Sequence, residues 1–110
     1  MLENTYTLEN GIKIPKLGLG TWFIDDSEVA EALREAVKIG YRMMDTAQAY
    51  GNERGVGEGV RTCGIPREDL FVVSKVAAEH KTYEQAMAGM DETLKKMELY
   101  YQDFCRVFAF

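Results

Sequence analysis

An α/β fold built on a parallel sheet is the class this sequence predicts, on three observations. Short apolar runs alternate with amphipathic stretches of helical period, and the connections between them are brief. The strongest strand signal, Leu70 to Lys75, is β-branched and apolar on both faces, as parallel strands covered by helices are. The order strand, helix, strand, helix, strand, helix, strand leaves two architectures, a doubly wound sheet or part of a barrel. Without a linker, a low-complexity tract or a further repeat, residues 1–110 are expected to form one domain.

Thr5 to Ile14 opens the chain as a hairpin. Tyr6 and Leu8 alternate with polar residues, Asn10-Gly11 supplies the positive φ of a tight turn, and Ile12 and Ile14 return. Leu17-Gly-Leu-Gly20 reads as a buried first strand whose glycines permit close approach. Helix one is expected from Asp25 or Asp26, with Asp25 and Glu28 in capping-box spacing, a buried stripe of Val29, Leu33, Ala36 and Val37, and Gly40 at its end. Strand two covers Tyr41 to Met44. The next helix starts near Asn52 with Val56 and Val60 on one face. Gly55, Gly57 and Gly59 each weaken it by about 1 kcal/mol relative to alanine, so packing must hold it. After the turn Ile65 to Asp69 and the strand to Lys75, helix three begins at Thr82 with Gln85 completing a capping box. Its expected core face is Tyr83, Met87, Met90, Leu94 and Met97. Asp103 to Phe110 is the fourth strand.

Composition narrows the function classes. A formal charge of −5 argues against nucleic acid or an anionic membrane as partner, since both require a basic surface. It is also awkward for a phosphate-bearing cofactor unless cations come from elsewhere. Two separated cysteines, Cys63 and Cys105, form neither a disulfide framework nor a zinc ligand set. With no apolar leader and no run long enough to span a bilayer, a reduced, cytoplasmic protein without a metal is expected.

The chemistry concentrates where loops leave the C-terminal ends of strands, the face that carries function in parallel α/β folds. Asp45 ends strand two, Tyr50 lies in the following loop, and Lys75 ends strand three. A tyrosine is a reluctant acid, but an adjacent ammonium favours its phenolate, and a carboxylate can hold that ammonium charged and oriented. Tyr50 is therefore the candidate proton donor, Lys75 its tuner and Asp45 the anchor. Each alone could be a polar group at the rim of the sheet.

Gly18-Leu-Gly-Thr-Trp22, Gly40-Tyr-Arg42, Asp45-Thr-Ala-Gln-Ala-Tyr-Gly-Asn-Glu53 and Val73-Ser-Lys75 resemble the aldo-keto reductase family in wording, order and spacing, over about Thr5 to Leu99. The resemblance implies the N-terminal portion of a (β/α)8 TIM barrel capped by a hairpin, with about four parallel strands and three helices. It implies NADPH-dependent reduction of small-molecule aldehydes or ketones to alcohols, with Tyr50 giving the proton. By the same resemblance Gly20, Thr21, Trp22 and Asp45 border the cofactor, and Trp22 and Tyr50 border the substrate.

Two departures from the family pattern set an alternative. Phe108 stands where the family places a carbonyl-polarising histidine, and Arg106 lies inside a strand. The change of character after Leu99 reads as a truncated or frame-shifted product. The family's phosphate contacts come from later strands. The competing expectation is an inactive partial barrel that self-associates through open sheet edges. His80, the only histidine, is read as a solvated loop residue rather than a substitute polariser, and Cys63 as a small, partly buried thiol.

Overall fold

The computed structural model describes residues 5–9, 11–76, 82–99 and 101, and the backbone of 104–107. An antiparallel hairpin, β1 (Thr5–Thr7) and β2 (Lys13–Pro15), precedes a sheet of four parallel strands: β3 (Leu19–Gly20), β4 (Met43–Asp45), β5 (Phe71–Val76) and β6 (Phe104–Val107). Helices α1 (Val29–Ile39), α2 (Glu53–Thr62) and α3 (Tyr83–Met97) connect successive strands. The strands lie in chain order, β3-β4-β5-β6. A doubly wound sheet reverses direction at a switch point, so unbroken order selects the barrel portion over the alternative.

The core fills the space between the sheet and its helices. Val29, Leu33 and Val37 of α1, Val56 and Val60 of α2 and Met97 of α3 pack with Leu70 and with Met44 and Val72, register partners on β4 and β5. Each such side chain contributes about 1.5–3 kcal/mol by leaving water. The stripe expected on α1 is buried as read, and Gly40 ends that helix at φ 123°.

The glycines of α2 have a steric explanation. A methyl built on Gly55 would fall on the Asp26 carbonyl and Val29, one on Gly59 would press Leu33, and one on Gly57 would strike the Met97 backbone. Their weak helix propensity is the condition for bringing α1 and the end of α3 so close. Gly18 is likewise crowded by Met43, whereas Gly20 meets nothing within 4 Å, so only the first of those two glycines makes the close approach expected of both.

Three expectations need correction. The Asp25/Glu28 capping box does not form, and α1 begins at Val29 after a turn in which the Asp25 carbonyl accepts from the N–H of Glu28 and Val29. Instead Asp26 Oδ1 accepts from the Gly55 N–H at 2.7 Å, capping the start of α2. Helix α3 does carry the Thr82–Gln85 capping box, but it buries only part of the anticipated face. Gly89, Thr93 and Met97 are buried, while Tyr83 is 77% and Met87 41% exposed. Of the anticipated face Met97 is buried in the core as read and Met90 and Leu94 are half-buried, while Tyr83 and Met87 turn outward because Gly89 and Thr93 meet the turn that carries Gln48. Strand β4 begins at Met43 rather than Tyr41 and ends at Asp45. His80 and Phe108 lie outside the described residues.

Candidate active site

Register explains why the three polar residues can meet. Asp45 pairs with Val73 across β4 and β5, so Lys75 stands two residues further along, beyond the end of β4. Because side chains alternate across a strand, Ser74 turns the other way, where its hydroxyl donates to Glu53 Oε2 on α2 at 2.7 Å. Lys75 is left to enter the loop that follows β4. Its Nζ donates to Asp45 Oδ1 at 2.6 Å, to the Thr46 carbonyl at 3.2 Å and to Tyr50 Oη at 3.2 Å.

An ammonium has three N–H donors and no acceptor, so these three contacts use all of them. Lys75, only 8% exposed, is fixed as a buried cation with its charge offset by Asp45. Toward such a group the Tyr50 oxygen must act as acceptor. Its own hydrogen stays available for an acceptor outside the set. That is the arrangement a proton donor needs, and the ammonium remains beside the oxygen once the proton has left.

A second layer of hydrogen bonds holds these side chains. Tyr50 sits in a 3-10 turn, Gln48–Tyr50, tied to α3 where Gln48 Nε2 donates to the Gly89 carbonyl at 2.9 Å and Thr93 Oγ1 at 3.2 Å. Asn52 is buried at the start of α2. Its amide donates to the Thr21 carbonyl at 2.8 Å and the Ile24 carbonyl at 3.0 Å, and its oxygen accepts from the Thr46 hydroxyl at 2.8 Å. Asn52 thereby ties the loop after β3 to the residue whose carbonyl receives Lys75. A buried amide with both donors and its acceptor engaged rigidifies its surroundings.

A model of the Aldo/keto reductase family matches residues 16–107. The chain belongs to the aldo/keto reductase family. It is 44% identical over 101 residues to the 9,11-endoperoxide prostaglandin H2 reductase of Trypanosoma cruzi (strain CL Brener), covering 91% of this chain and 36% of the relative. Against the glyoxal reductase of Bacillus subtilis (strain 168) it is 41% identical over 103 residues, 93% of this chain and 37% of the relative. A crystal structure of an aldo/keto reductase from Brucella melitensis superposes with a TM-score of 0.90 at 40% identity, over 94% of this chain and 40% of that one. The chain therefore has the fold of the N-terminal part of an aldo/keto reductase barrel and spans well under half the length of these relatives.

Within this aldo/keto reductase frame, Asp45, Tyr50 and Lys75 converge as one cluster. Trp22 lies beside them, its ring 6.4 Å from that of Tyr50 and stacked at 26°. Gly20 is exposed with open space around it. Thr21, expected to border a cofactor, stands between β3 and β4 beneath the cluster. Its side chain is fully buried, and its hydroxyl donates to the Asp45 carbonyl at 2.9 Å, so it joins β3 to the end of β4. Sequence reasoning gave no role to Asn52, Gln48 or the Glu53–Ser74 pair. Asn52 and Glu53 lay inside the quoted motif, and a short polar residue before an apolar helical stripe was the available signal.

Proposed function

We propose that this site reduces the carbonyl group of a small aldehyde or ketone, with Tyr50 as the proton donor. The observation that carries the reading is the Lys75 ammonium with all three donors engaged, one of them on the Tyr50 oxygen at 3.2 Å. A carbonyl oxygen placed against Tyr50 Oη accepts its hydrogen, negative charge develops on the phenol oxygen, and Lys75 stabilises that charge. Asp45 holds the Lys75 amine in position. Trp22 walls one side, and an apolar wall limits the entry of water to the reacting group.

The electron pair must come from a hydride donor, and a reduced nicotinamide such as that of NADPH supplies it when bound. Gly20, unobstructed beside Asp45, and the exposed ring of Trp22 fit the flat nicotinamide and its ribose. Among the described residues, Lys75 is the cation of this cluster and its three donors are already engaged. These residues accordingly account for the reacting end of the dinucleotide only.

The test is oxidation of NADPH on addition of glyoxal, comparing the chain with its Tyr50→Phe variant. Loss of about 10²-fold or more in rate, with melting unchanged, is the expected result. Equal rates would contradict the reading. A second reading rests on the sheet itself, which among the described residues ends at β3 on one side and β6 on the other. Those edges suit self-association of an inert chain, which gel filtration shows as concentration-dependent species without turnover.

A further inference from the structure

Thr21 to Ile24 is a tight turn closed by the Ile24 N–H donating to the Thr21 carbonyl at 3.1 Å. Its third residue is Phe23, held at φ 67°. That place in a turn ordinarily takes glycine or asparagine, because a bulky L-residue is strained there. The strain is sustained by Asn52, whose amide grips both carbonyls of the turn. The turn thus presents Phe23 outward, 86% exposed, with its ring stacked on Trp22 at 4.5 Å and 22°. Trp22, itself 65% exposed, also stacks toward Tyr50. Aromatic surface therefore runs from the proposed proton donor, through Trp22, to Phe23.

Strain and exposed apolar area are both unfavourable for the free chain, and a ligand covering the two rings removes the second. Continuity with Tyr50 identifies the occupant. We propose that Phe23 is a specificity-determining residue which, with Trp22, forms an outer subsite for an aryl substituent of the carbonyl substrate, set back from the carbonyl group. The proposal rests on the reductase reading given above. A planar apolar group lying on these faces gains stacking beyond its buried area, whereas a short aliphatic substrate does not reach Phe23.

The chain contains a single tryptophan, so the indole N–H resonance of Trp22 reports binding directly. The probes are 2-butanone and 4-phenyl-2-butanone, the same methyl ketone without and with a distant phenyl group. The phenyl ketone should bind the wild-type chain more tightly, and Phe23→Gly should weaken it about fivefold while leaving 2-butanone unchanged. Glycine adopts φ 67° without strain, so this variant should melt no lower than wild type. Phe23→Tyr keeps the ring and should keep the affinity. No shift with 4-phenyl-2-butanone, undiminished binding by Phe23→Gly, or a loss in Phe23→Tyr equal to that in Phe23→Gly would each overturn the subsite. The reductase reading fails separately, through turnover indifferent to Tyr50→Phe.

Discussion

The helix side of the sheet and the ends of its strands are both tightly built, but from opposite materials. Between α1, α2 and the end of α3 the fully buried side chains are apolar, with hydrogen bonds such as Arg34 to Thr62 and Arg61 to the Met97 carbonyl toward the outside, and glycines set the spacing. At the ends of β4 and β5 the buried groups are Thr21, Thr46, Asn52 and Lys75, each joined to its neighbours by hydrogen bonds. Helix α2 belongs to both regions. Its first residues, with Asn52 before them, enter the polar cluster, and its glycines lock it against the other helices. The comparison teaches that the glycine-rich helix is a positioning device, since its close seating sets where Asn52 stands.

Perturbing the helix side should therefore have the larger effect on stability. Gly57→Ala places a methyl on the Met97 backbone, which cannot yield as a flexible side chain can. Thermal or denaturant unfolding should show a loss of about 3 kcal/mol. Gly20→Ala, in open space, should change stability by less than about 0.5 kcal/mol. Equal costs at the two positions would break the steric account of α2.

Perturbing the polar side should cost less stability and more geometry. Asn52→Ala leaves the Thr21 and Ile24 carbonyls and the Thr46 hydroxyl without the partner that joins them. A loss of about 2 kcal/mol in chemical denaturation is expected, together with a shift of the Trp22 indole resonance. An unmoved resonance would show that Asn52 does not hold the turn.

These larger effects are where sequence reading was weakest, and the reason is physical. Local signals were legible. The hairpin around Gly11, the end of α1 at Gly40 and the Thr82–Gln85 cap depend on residues within a few positions of one another. The meeting of Asp45, Tyr50 and Lys75 was also legible, because strand ends in a parallel sheet share a face. The Asp26 cap on Gly55 and the Asn52 clamp join segments 29 and 31 residues apart. No periodicity or capping pattern records such contacts. The first turns of α3, where Tyr83 and Met87 are exposed, were misread for the same reason, while Met97 is buried as expected. At Gly89 and Thr93 the partner is Gln48, 41 residues from Gly89, and Gln48 seeks a carbonyl and a hydroxyl rather than a methionine stripe.

Two smaller changes sharpen the contrast between local and distant caps. Thr82→Ala removes only the capping box of α3 and should cost about 1 kcal/mol, seen as a lower denaturation midpoint. Asp26→Asn tests the distant cap through pH. Burial alone would push the Asp26 carboxyl up, but hydrogen bonds from Arg54 and the Gly55 N–H, with the guanidinium charge, outweigh it and hold the carboxyl below its ordinary 3.8. A depressed folded value means that its stabilisation is complete above 3.8 and is lost as pH falls through the lower folded value. Stability measured against pH should fall less steeply below about pH 4 in Asp26→Asn than in wild type. Parallel acid limbs would remove Asp26 from the account.

The account turns on Lys75 acting through the oxygen of Tyr50 rather than beside it. A double-mutant cycle of Tyr50→Phe and Lys75→Met, read as the rate of NADPH oxidation by glyoxal, tests this most directly. Groups acting as a unit are non-additive, so the double variant should be no slower than the slower single variant. Losses that multiply in the double variant would contradict the account, because the amine and the phenol would then be working independently.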